Sequence, residues 1–334
     1  MKELILHIGT GKTGSSSIQH TLDSLSLKDC SFLYDMSGQT AFSNTEELIK
    51  KIDSAPKNKI IYSNEWLYRA SKNIVKELAE KLMDNYKIQI IIYIRRQDEF
   101  AISAYQQKLK TKSKKFKSGA IALPEEDYPI RGNNYFTLIN KWANAFGKEN
   151  IKIRIFSKST LKNGCVVQDF ADITGLQIAA EQVIHKNTSM GLESLKVATL
   201  MNELGYSKGI RNKVLSSIND TVKMLPDRAS AREFYKKFIP SNKRLKQEFN
   251  IESETPAIFD TDFSRYPLES QDQWTEKTAN SVVSSLLKLV KQLNKDSLNS
   301  AEVETLEKAT LAIESSNPKL AQELRDILDR ISEK

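Results

Sequence analysis

The sequence is poor in the residues that build metal centres and disulfide frameworks. It has two cysteines and three histidines in 334 residues. Cys30 and Cys165 form neither a metal-ligand spacing nor a disulfide framework. His7, His20 and His185 are scattered along the chain and give no zinc constellation. The sequence therefore predicts no metal site built from protein ligands.

Long apolar runs are also missing. No stretch of about 18 or more apolar residues could form a membrane-spanning helix. The N-terminal MKELILHIG turns polar too early for a secretory signal. Hydrophobic residues make up 40% and charged residues 28% of the chain, which is typical of a globular protein. We expect a cytoplasmic protein without a transmembrane segment, and peripheral attachment to the inner membrane stays open.

The positive charge is unevenly distributed. The net charge is +8, but residues 271–334 carry nine Lys and Arg against eleven Asp and Glu, so residues 1–270 carry +10. Part of that excess lies in KLKTKSKKFKS, residues 108–118. Such a run is typical of an exposed face or loop, or of a patch that attracts an anionic substrate. Nucleic acid is not expected, because the run contains one aromatic residue, Phe116, and no recognition motif follows it.

The first half of the chain alternates strand and helix patterns. Apolar, β-branched strand patterns occur at residues 3–9, 57–63, 88–94 and 150–157, with helical patterns between them. This alternation predicts an α/β fold whose central parallel sheet is covered on both faces. Ligands of such sheets bind beyond the carboxyl ends of the strands. The glycine loop after the first strand, Ser63–Glu65 and Arg95–Arg96 each directly follow a strand.

The second half of the chain is helical. Helical patterns begin after about Gly175, and an irregular segment at residues 255–267 precedes the tail. We therefore predict a main domain at residues 1–268 and a C-terminal helical appendage at residues 269–334. Two amphipathic stripes mark this tail: Val282, Leu286, Leu289, Val290 and Leu293, then Leu320, Leu324, Ile327 and Ile331. These stripes indicate packing, and the appendage could serve docking or a homodimer.

A glycine-rich loop is the strongest chemical signal. Residues 6–20 read LHIGTGKTGSSSIQH, which predicts a strand, a tight turn and the start of a helix. Free amides and the positive dipole end of a helix face an anion in this arrangement. Lys12 adds a point charge, and Ser15–Ser17 add hydroxyl donors.

The loop fails the nucleoside triphosphate motif G-x-x-x-x-G-K-[ST]. Gly11, Lys12 and Thr13 match its end, but Leu6 stands where the first glycine belongs. The loop is therefore too short to wrap two successive phosphates, and no predicted strand ends in an acidic residue that would hold Mg²⁺. The loop also matches the dinucleotide-binding pattern GxGxxG, but that motif needs an acidic residue about 20 positions later to bind the ribose. Asp29 and Asp35 fit that position only loosely.

The run Lys12-Thr13-Gly14-Ser15-Ser16 resembles the 5′-phosphosulfate loop of sulfotransferases that use 3′-phosphoadenosine 5′-phosphosulfate. With HIGTG before it and SIQ after it, the sequence of this segment is similar to that of bacterial carbohydrate sulfotransferases. The resemblance covers about residues 1–265 and implies a three-layer fold like that of P-loop NTPases. It also implies donor binding by Gly11 to Ser17, without a metal.

Two further elements add to this resemblance. The family's 3′-phosphate site is an arginine after a strand and a serine eight residues on, which Arg95 and Ser103 match. In glycan sulfotransferases a glutamate just after a strand is the usual general base, and Glu65 has that placement. His7 is the rival base, but its position within the first strand favours a buried core histidine.

The resemblance implies sulfuryl transfer to a carbohydrate hydroxyl, with a bacterial polysaccharide or glycolipid as the acceptor. The lysine-rich run would suit an anionic acceptor. Lys12 and Glu65 are the implied catalytic residues. Two alternatives stay open: a P-loop kinase or other nucleoside triphosphate-dependent enzyme, and a binding protein without turnover.

Overall fold

The computed structural model describes residues 1–35, 45–110, 133–185, 190–251, 253, 255, 258–293, 300–314 and 317–332. The predicted role of the lysine-rich run 108–118 concerns side chains that lie outside these described residues. No helix in the described ranges is both long and apolar enough to cross a membrane.

A five-stranded parallel sheet forms the centre of the fold. Its strands are β1 (Lys2–His7), β2 (Cys30–Tyr34), β3 (Lys59–Ser63), β4 (Tyr86–Ile94) and β5 (Ile151–Ile155). Their order across the sheet is β2-β3-β1-β4-β5. In the central strand, Leu6 lies opposite Tyr62 of β3 and Ile90 of β4. The carboxyl ends of β3, β1 and β4 are therefore neighbours.

Helices connect the strands in the first half of the chain and make up most of the second half. They are α1 (Ser15–Ser24), α2 (Thr45–Asp53), α3 (Lys72–Leu82), α4 (Gln97–Lys110), α5 (Tyr135–Phe146), α6 (Val166–Thr174), α7 (Leu192–Glu203), α8 (Lys208–Ser217), α9 (Arg228–Lys236), α10 (Ile239–Phe249), α11 (Glu276–Leu293), α12 (Ser300–Glu314) and α13 (Pro318–Ser332).

Alternate residues of the strands build two buried layers. Ile5, Ile61 and Ile91 pack with Ile18 of α1 and Phe170 of α6 in one apolar cluster. The next residues along each strand face the other way and are also fully buried. Helix α3 packs against both α2 and α5. Each such isoleucine contributes about 1.5–3 kcal/mol on burial. The expected α/β fold with a central parallel sheet is confirmed.

The chain divides into two compact units. The first comprises residues 1–101, 124–188 and 232–262 and contains the sheet. The second comprises residues 102–123, 189–231 and 263–334. In the second unit, α11 packs with α7 and α8, and α12 packs with α13. The tail is helical as expected, whereas the boundary at residue 268 stays a prediction.

Packing by the tail stripes is seen in the structure. Val282 and Leu286 form one apolar cluster with Ile218. Val290 forms another with Leu306 and Leu328. Three residues of the first stripe thus lie in two apolar clusters, and Ile327 of the second stripe packs against the cluster of Val290.

The structure adds one strand and moves one helix boundary. Strand β2 has no clear sequence pattern, because it is an edge strand of five residues, of which four are partly buried. Helix α9 ends at Lys236, and Pro240 lies in the first turn of the next helix, α10. A proline in the first turn removes no helical hydrogen bond, which is why the helix begins there.

Candidate functional site

The predicted site segments meet at the carboxyl edge of the sheet. The loop after β1 continues the pairing of that strand, since Tyr93 N donates to Gly9 O at 2.8 Å and Thr10 N donates to Tyr93 O at 2.9 Å. On the other side, Asn64 N donates to His7 O at 2.9 Å and Tyr68 N donates to Ile8 O at 3.1 Å. The segments after β1, β3 and β4 therefore form one continuous edge.

Glycines shape the loop. Gly9 and Gly14 have φ of 105° and 82°. A Cβ on Gly9 would lie 2.7 Å from the carbonyl oxygen of Glu65, and one on Gly14 would lie 2.6 Å from Cγ1 of Val166. Lys12 also has a positive φ, 66°. The backbone conformation and the close packing thus both require glycine at positions 9 and 14.

Helix α1 begins as an anion-binding helix would. Its N-cap is Gly14, which makes no side-chain cap, and its first turn has no acidic residue. Thr13 Oγ1 donates to Thr10 O at 2.5 Å and Ser15 Oγ donates to the same carbonyl at 3.3 Å. These two hydroxyls therefore stabilise the loop itself. The first-turn amides and Lys12 are the groups suited to a negative charge.

The carboxylate of Glu65 lies beside the loop. A Cβ on Gly11 would be 3.8 Å from Glu65 Oε2. Burial raises the pKa of Glu65, and the charges of Lys12 and Arg69 oppose that rise. The structure therefore brings Glu65 and Lys12 together in a partly desolvated place.

Two basic residues that the sequence reasoning missed support the segment after Glu65. Arg69 Nε donates to Tyr68 Oη at 2.7 Å, and its guanidinium lies over the ring of Trp66 at 5.6 Å. Lys141 of α5 donates to the carbonyls of Tyr68, at 3.1 Å, and of Ala70. Burial lowers the pKa of Lys141 to about 8.

The sequence indicates that Arg69 lies near Glu65, but it does not indicate this for Lys141. Arg69 follows Glu65 by four residues, so its proximity could have been suspected. Lys141 lies within an amphipathic helix far along the chain and gives no such signal.

Arg95 connects the end of β4 to the loop. Its Nη1 donates to Lys12 O at 3.3 Å, and its Nε pairs with Glu99 Oε2 at 2.9 Å. The guanidinium also lies over the ring of Phe156, 5.5 Å from its centroid. Arg95 is thus held at the edge of the loop, as its place after the strand predicts.

Arg96 has a different surrounding. Its Nε pairs with Asp98 at 2.9 Å and its Nη1 with Asp260 at 2.6 Å. Its side chain is 4% exposed. Arg96 therefore holds irregular chain near Asp260 rather than facing a ligand.

Ser103 lies on α4, within the second compact unit. Its pairing with Arg95 in one phosphate site stays a prediction.

His7 is enclosed in the core. Its Nδ1 lies 2.8 Å from Ser63 Oγ, and its ring packs against Tyr93 and Phe170. The side chain has no exposed surface, and burial lowers its pKa to about 3. These surroundings fit a neutral core histidine rather than a base that touches an acceptor.

One expectation about acidic residues needs correction. Strand β2, which the sequence did not reveal, leads directly into Asp35, so a strand does end beside an acid. Asp35 Oδ2 lies 3.7 Å from Lys51 Nζ, and β2 is the edge strand, two positions from β1. Asp35 is therefore not adjacent to the loop strand. In the described part of the chain, no group of three or more His, Cys, Asp or Glu residues could hold a metal ion.

Comparisons with known proteins give distant similarities. No protein-family model matches the chain. An uncharacterised protein of Archaeoglobus fulgidus is 28% identical over 174 residues, which cover 48% of this chain and 45% of that protein. The match thus spans less than half the length of this relative.

Two solved structures are similar at low sequence identity. A sulfotransferase from Alicyclobacillus acidocaldarius has a TM-score of 0.46 and 14% identity, covering 75% of this chain and 97% of that one. Mouse sulfotransferase SULT7A1 complexed with PAP has a TM-score of 0.31 and 11% identity, covering 75% and 83%. Both TM-scores lie below 0.5, so these similarities by themselves assign no activity to this chain.

Proposed function

We propose that the chain is a sulfotransferase that moves a sulfuryl group from 3′-phosphoadenosine 5′-phosphosulfate to a hydroxyl of a carbohydrate. The observation that carries the proposal is the loop from Gly9 to Ser16, where Lys12 and an uncapped, acid-free helix start lie beside the carboxylate of Glu65. A cation and free amides suit the donor, and a desolvated carboxylate suits the acceptor.

The residues present fit the phosphosulfate end of this donor. Gly11 lacks the Cβ that would fill the space towards Glu65. The amides of Gly14 to Ser16 and the Lys12 ammonium would bind one phosphosulfate group, because the short loop suits a single such group. Gly11, Thr13 and Ser17 complete the predicted binding segment, in which Thr13 stabilises the turn.

Arg95 would bind the 3′-phosphate together with Ser103. An arginine fork makes strong charge-assisted hydrogen bonds with phosphate oxygens. Arg95 already has one anionic partner, Glu99, at 2.9 Å. Binding of a phosphate would therefore require the guanidinium to share or exchange that partner.

Lys12 and Glu65 would carry the chemistry. Lys12 stabilises the negative charge that grows on the phosphate oxygen as its bond to sulfur breaks. Glu65 accepts the proton that the acceptor hydroxyl loses as its oxygen bonds to sulfur. A raised pKa makes Glu65 a stronger base than an exposed glutamate, which suits proton transfer near neutral pH. These steps use the chain's own groups and need no metal.

The acceptor class rests on the resemblance of the loop to carbohydrate sulfotransferases. The proposed acceptor is a bacterial polysaccharide or glycolipid. An anionic acceptor would suit the lysine-rich run. A cytoplasmic location, peripheral membrane attachment and a homodimer through the C-terminal helices stay predictions.

A thermal-shift experiment separates the proposed function from its alternatives. Adenosine 3′,5′-bisphosphate without metal should raise the melting temperature, whereas ATP with Mg²⁺ should not. The opposite pattern would favour a nucleoside triphosphate-dependent enzyme and overturn the proposal. Binding of the bisphosphate without transfer from a radiolabelled donor to any polysaccharide or glycolipid acceptor would favour a binding protein.

A further inference from the structure

The second compact unit contains an apolar cavity at some distance in sequence from every residue of the candidate site. Helices α7, α8, α11 and α12 line it, together with Trp274 just before α11. Its empty space is about 700 Å³, part of which opens to solvent.

The lining offers a ligand almost no hydrogen bonds. In the described chain, the lining residues with a side-chain hydroxyl, amide or indole nitrogen are Tyr206, Thr305 and Trp274. The Tyr206 hydroxyl donates to the backbone carbonyl of Thr305 at 3.2 Å, so this hydroxyl already has an acceptor within the protein. A cavity of this chemistry is unfavourable for water and favourable for an apolar occupant.

Three helices supply most of the lining. The lining residues run from Val197 on α7 to Leu204, which directly follows that helix, and on α12 they run from Thr305 to Ile313. Each set spans two helical turns, which corresponds to about 10–12 Å along the axis. The lining residues of α11 also fall at helical spacing, from Ala279 to Leu286. An alkyl chain in the cavity would therefore meet lining side chains along about two turns of each helix.

Small residues create the space, and amphipathic ones border it. Ala279, Ala309 and Ala312 stand at lining positions where larger side chains would fill a helix interface. Leu204 is 48% exposed, and Trp274 is partly exposed. Aromatic residues with one apolar and one wet end suit the border between a hydrocarbon and water.

We propose that this cavity binds one alkyl chain of an amphipathic molecule, whose polar head stays in solvent. The proposal does not rest on sulfuryl transfer, because the cavity lies within the second unit and uses none of the candidate catalytic residues. It makes the helical unit a binding site for an apolar chain rather than only a packing appendage.

Trp274 provides a direct readout of an occupied cavity. Dibrominated stearate quenches tryptophan fluorescence only at short range, and Trp274 lines the cavity whereas Trp66 and Trp142, the other two tryptophans, do not. We expect saturable quenching of the full-length protein below the micelle-forming concentration, with reversal by palmitate. The Trp274→Phe variant should lose most of this quenching.

Cavity-filling variants test the location. Ala309→Leu and Ala312→Leu should each raise the stearate concentration that gives half-maximal quenching by at least tenfold. Glu307→Leu introduces the same side chain at an exposed position of α12 and should leave that concentration unchanged. If a filled variant fails to fold, the comparison of Trp274→Phe with the parent protein decides the matter.

Three results would overturn the proposal. They are quenching that appears only above the micelle-forming concentration, quenching that persists in Trp274→Phe, and no quenching at all. Sedimentation would identify a second copy as the occupant if a dimer formed without lipid and Ala312→Leu abolished it.

Discussion

The guanidinium of Arg95 donates a hydrogen bond to the backbone carbonyl of Lys12, with 3.3 Å between Nη1 and the oxygen. This contact joins two residues that are 83 positions apart in sequence. It connects the two predicted anion-binding elements, one after β1 and one after β4. A change at Arg95 should therefore affect both the predicted phosphate site and the position of the loop.

Replacement of Lys12 tests the charge of the loop. We expect Lys12→Ala to lower kcat by about 10²–10³-fold, as the loss of a group that stabilises transition-state charge does. The measurement is transfer from a radiolabelled donor, with melting temperature as the check on folding. Lys57→Ala removes an exposed lysine just before β3, at the opposite end of the strands, and should keep full activity. Equal turnover in the two variants would contradict the role of Lys12.

Glu65→Gln should separate activity from stability. Transfer should be lost, because glutamine cannot accept the acceptor's proton. Burial raises the pKa of Glu65, so the folded state keeps a proton that the unfolded chain has lost, and stability falls as pH rises between the two pKa values. Glutamine removes the buried charge, and the variant should melt higher than the parent at about pH 7.

The pH dependence of that difference is the sharper measurement. Below about pH 4.3, where the carboxyl of an unfolded chain is itself protonated, the two proteins should melt at similar temperatures. A Glu65→Gln variant that melts lower than the parent at neutral pH would contradict the effect of burial. Near-normal turnover would contradict the general base.

Arg95→Ala should weaken binding of adenosine 3′,5′-bisphosphate. A lost hydrogen bond to a charged group costs about 1.5–3 kcal/mol, which corresponds to at least about tenfold in Kd. Calorimetry measures the affinity, and Ser103→Ala should produce a smaller loss. Arg244→Ala is the control, since Arg244 is exposed and pairs with Glu248 on α10. An unchanged Kd in Arg95→Ala would remove this residue from the site.

His7 should make the protein sensitive to acid. Burial lowers its pKa to about 3, whereas an unperturbed histidine has a pKa of about 6.5. Between these values the unfolded state binds more protons, so the free energy of unfolding should fall as pH drops, by about 1.4 kcal/mol per pH unit for this one group.

Urea unfolding at a series of pH values measures this slope. In His7→Gln the contribution should disappear, while His20→Gln should retain it. A His7→Gln variant with the slope of the parent protein would show that other groups cause the acid sensitivity.

Gly14→Ala should destabilise the loop. The new Cβ would meet Val166 Cγ1 at 2.6 Å in a backbone with φ of 82°, so both sterics and conformation oppose it. Gly209→Ala is the matched control, because it lies in helix α8 with nothing within 4 Å of the new Cβ. That change should stabilise the protein by up to about 1 kcal/mol. Thermal melting distinguishes the two, and equal effects would contradict the packing at Gly14.

The strands with continuous apolar patterns could be predicted because burial on both faces leaves a mark in the sequence. Strand β4 is the clearest case, because six of its last seven residues are buried and the seventh is partly buried. Strand β2 could not be predicted, because an edge strand of five residues is only partly buried. The position of Asp35 directly after this strand could therefore not be predicted either.

From the sequence alone the glycine-rich loop, Glu65 and Arg95 could each be placed after a strand of a parallel sheet, because strand burial and glycine spacing are local patterns. The folded chain was needed to show that Arg95 contacts the loop, whereas Arg96 is buried with Asp98 and Asp260. It also decided the support of the Glu65 segment by Lys141 and the apolar cavity of the second unit. These features depend on residues far apart in sequence, whose proximity no local pattern specifies.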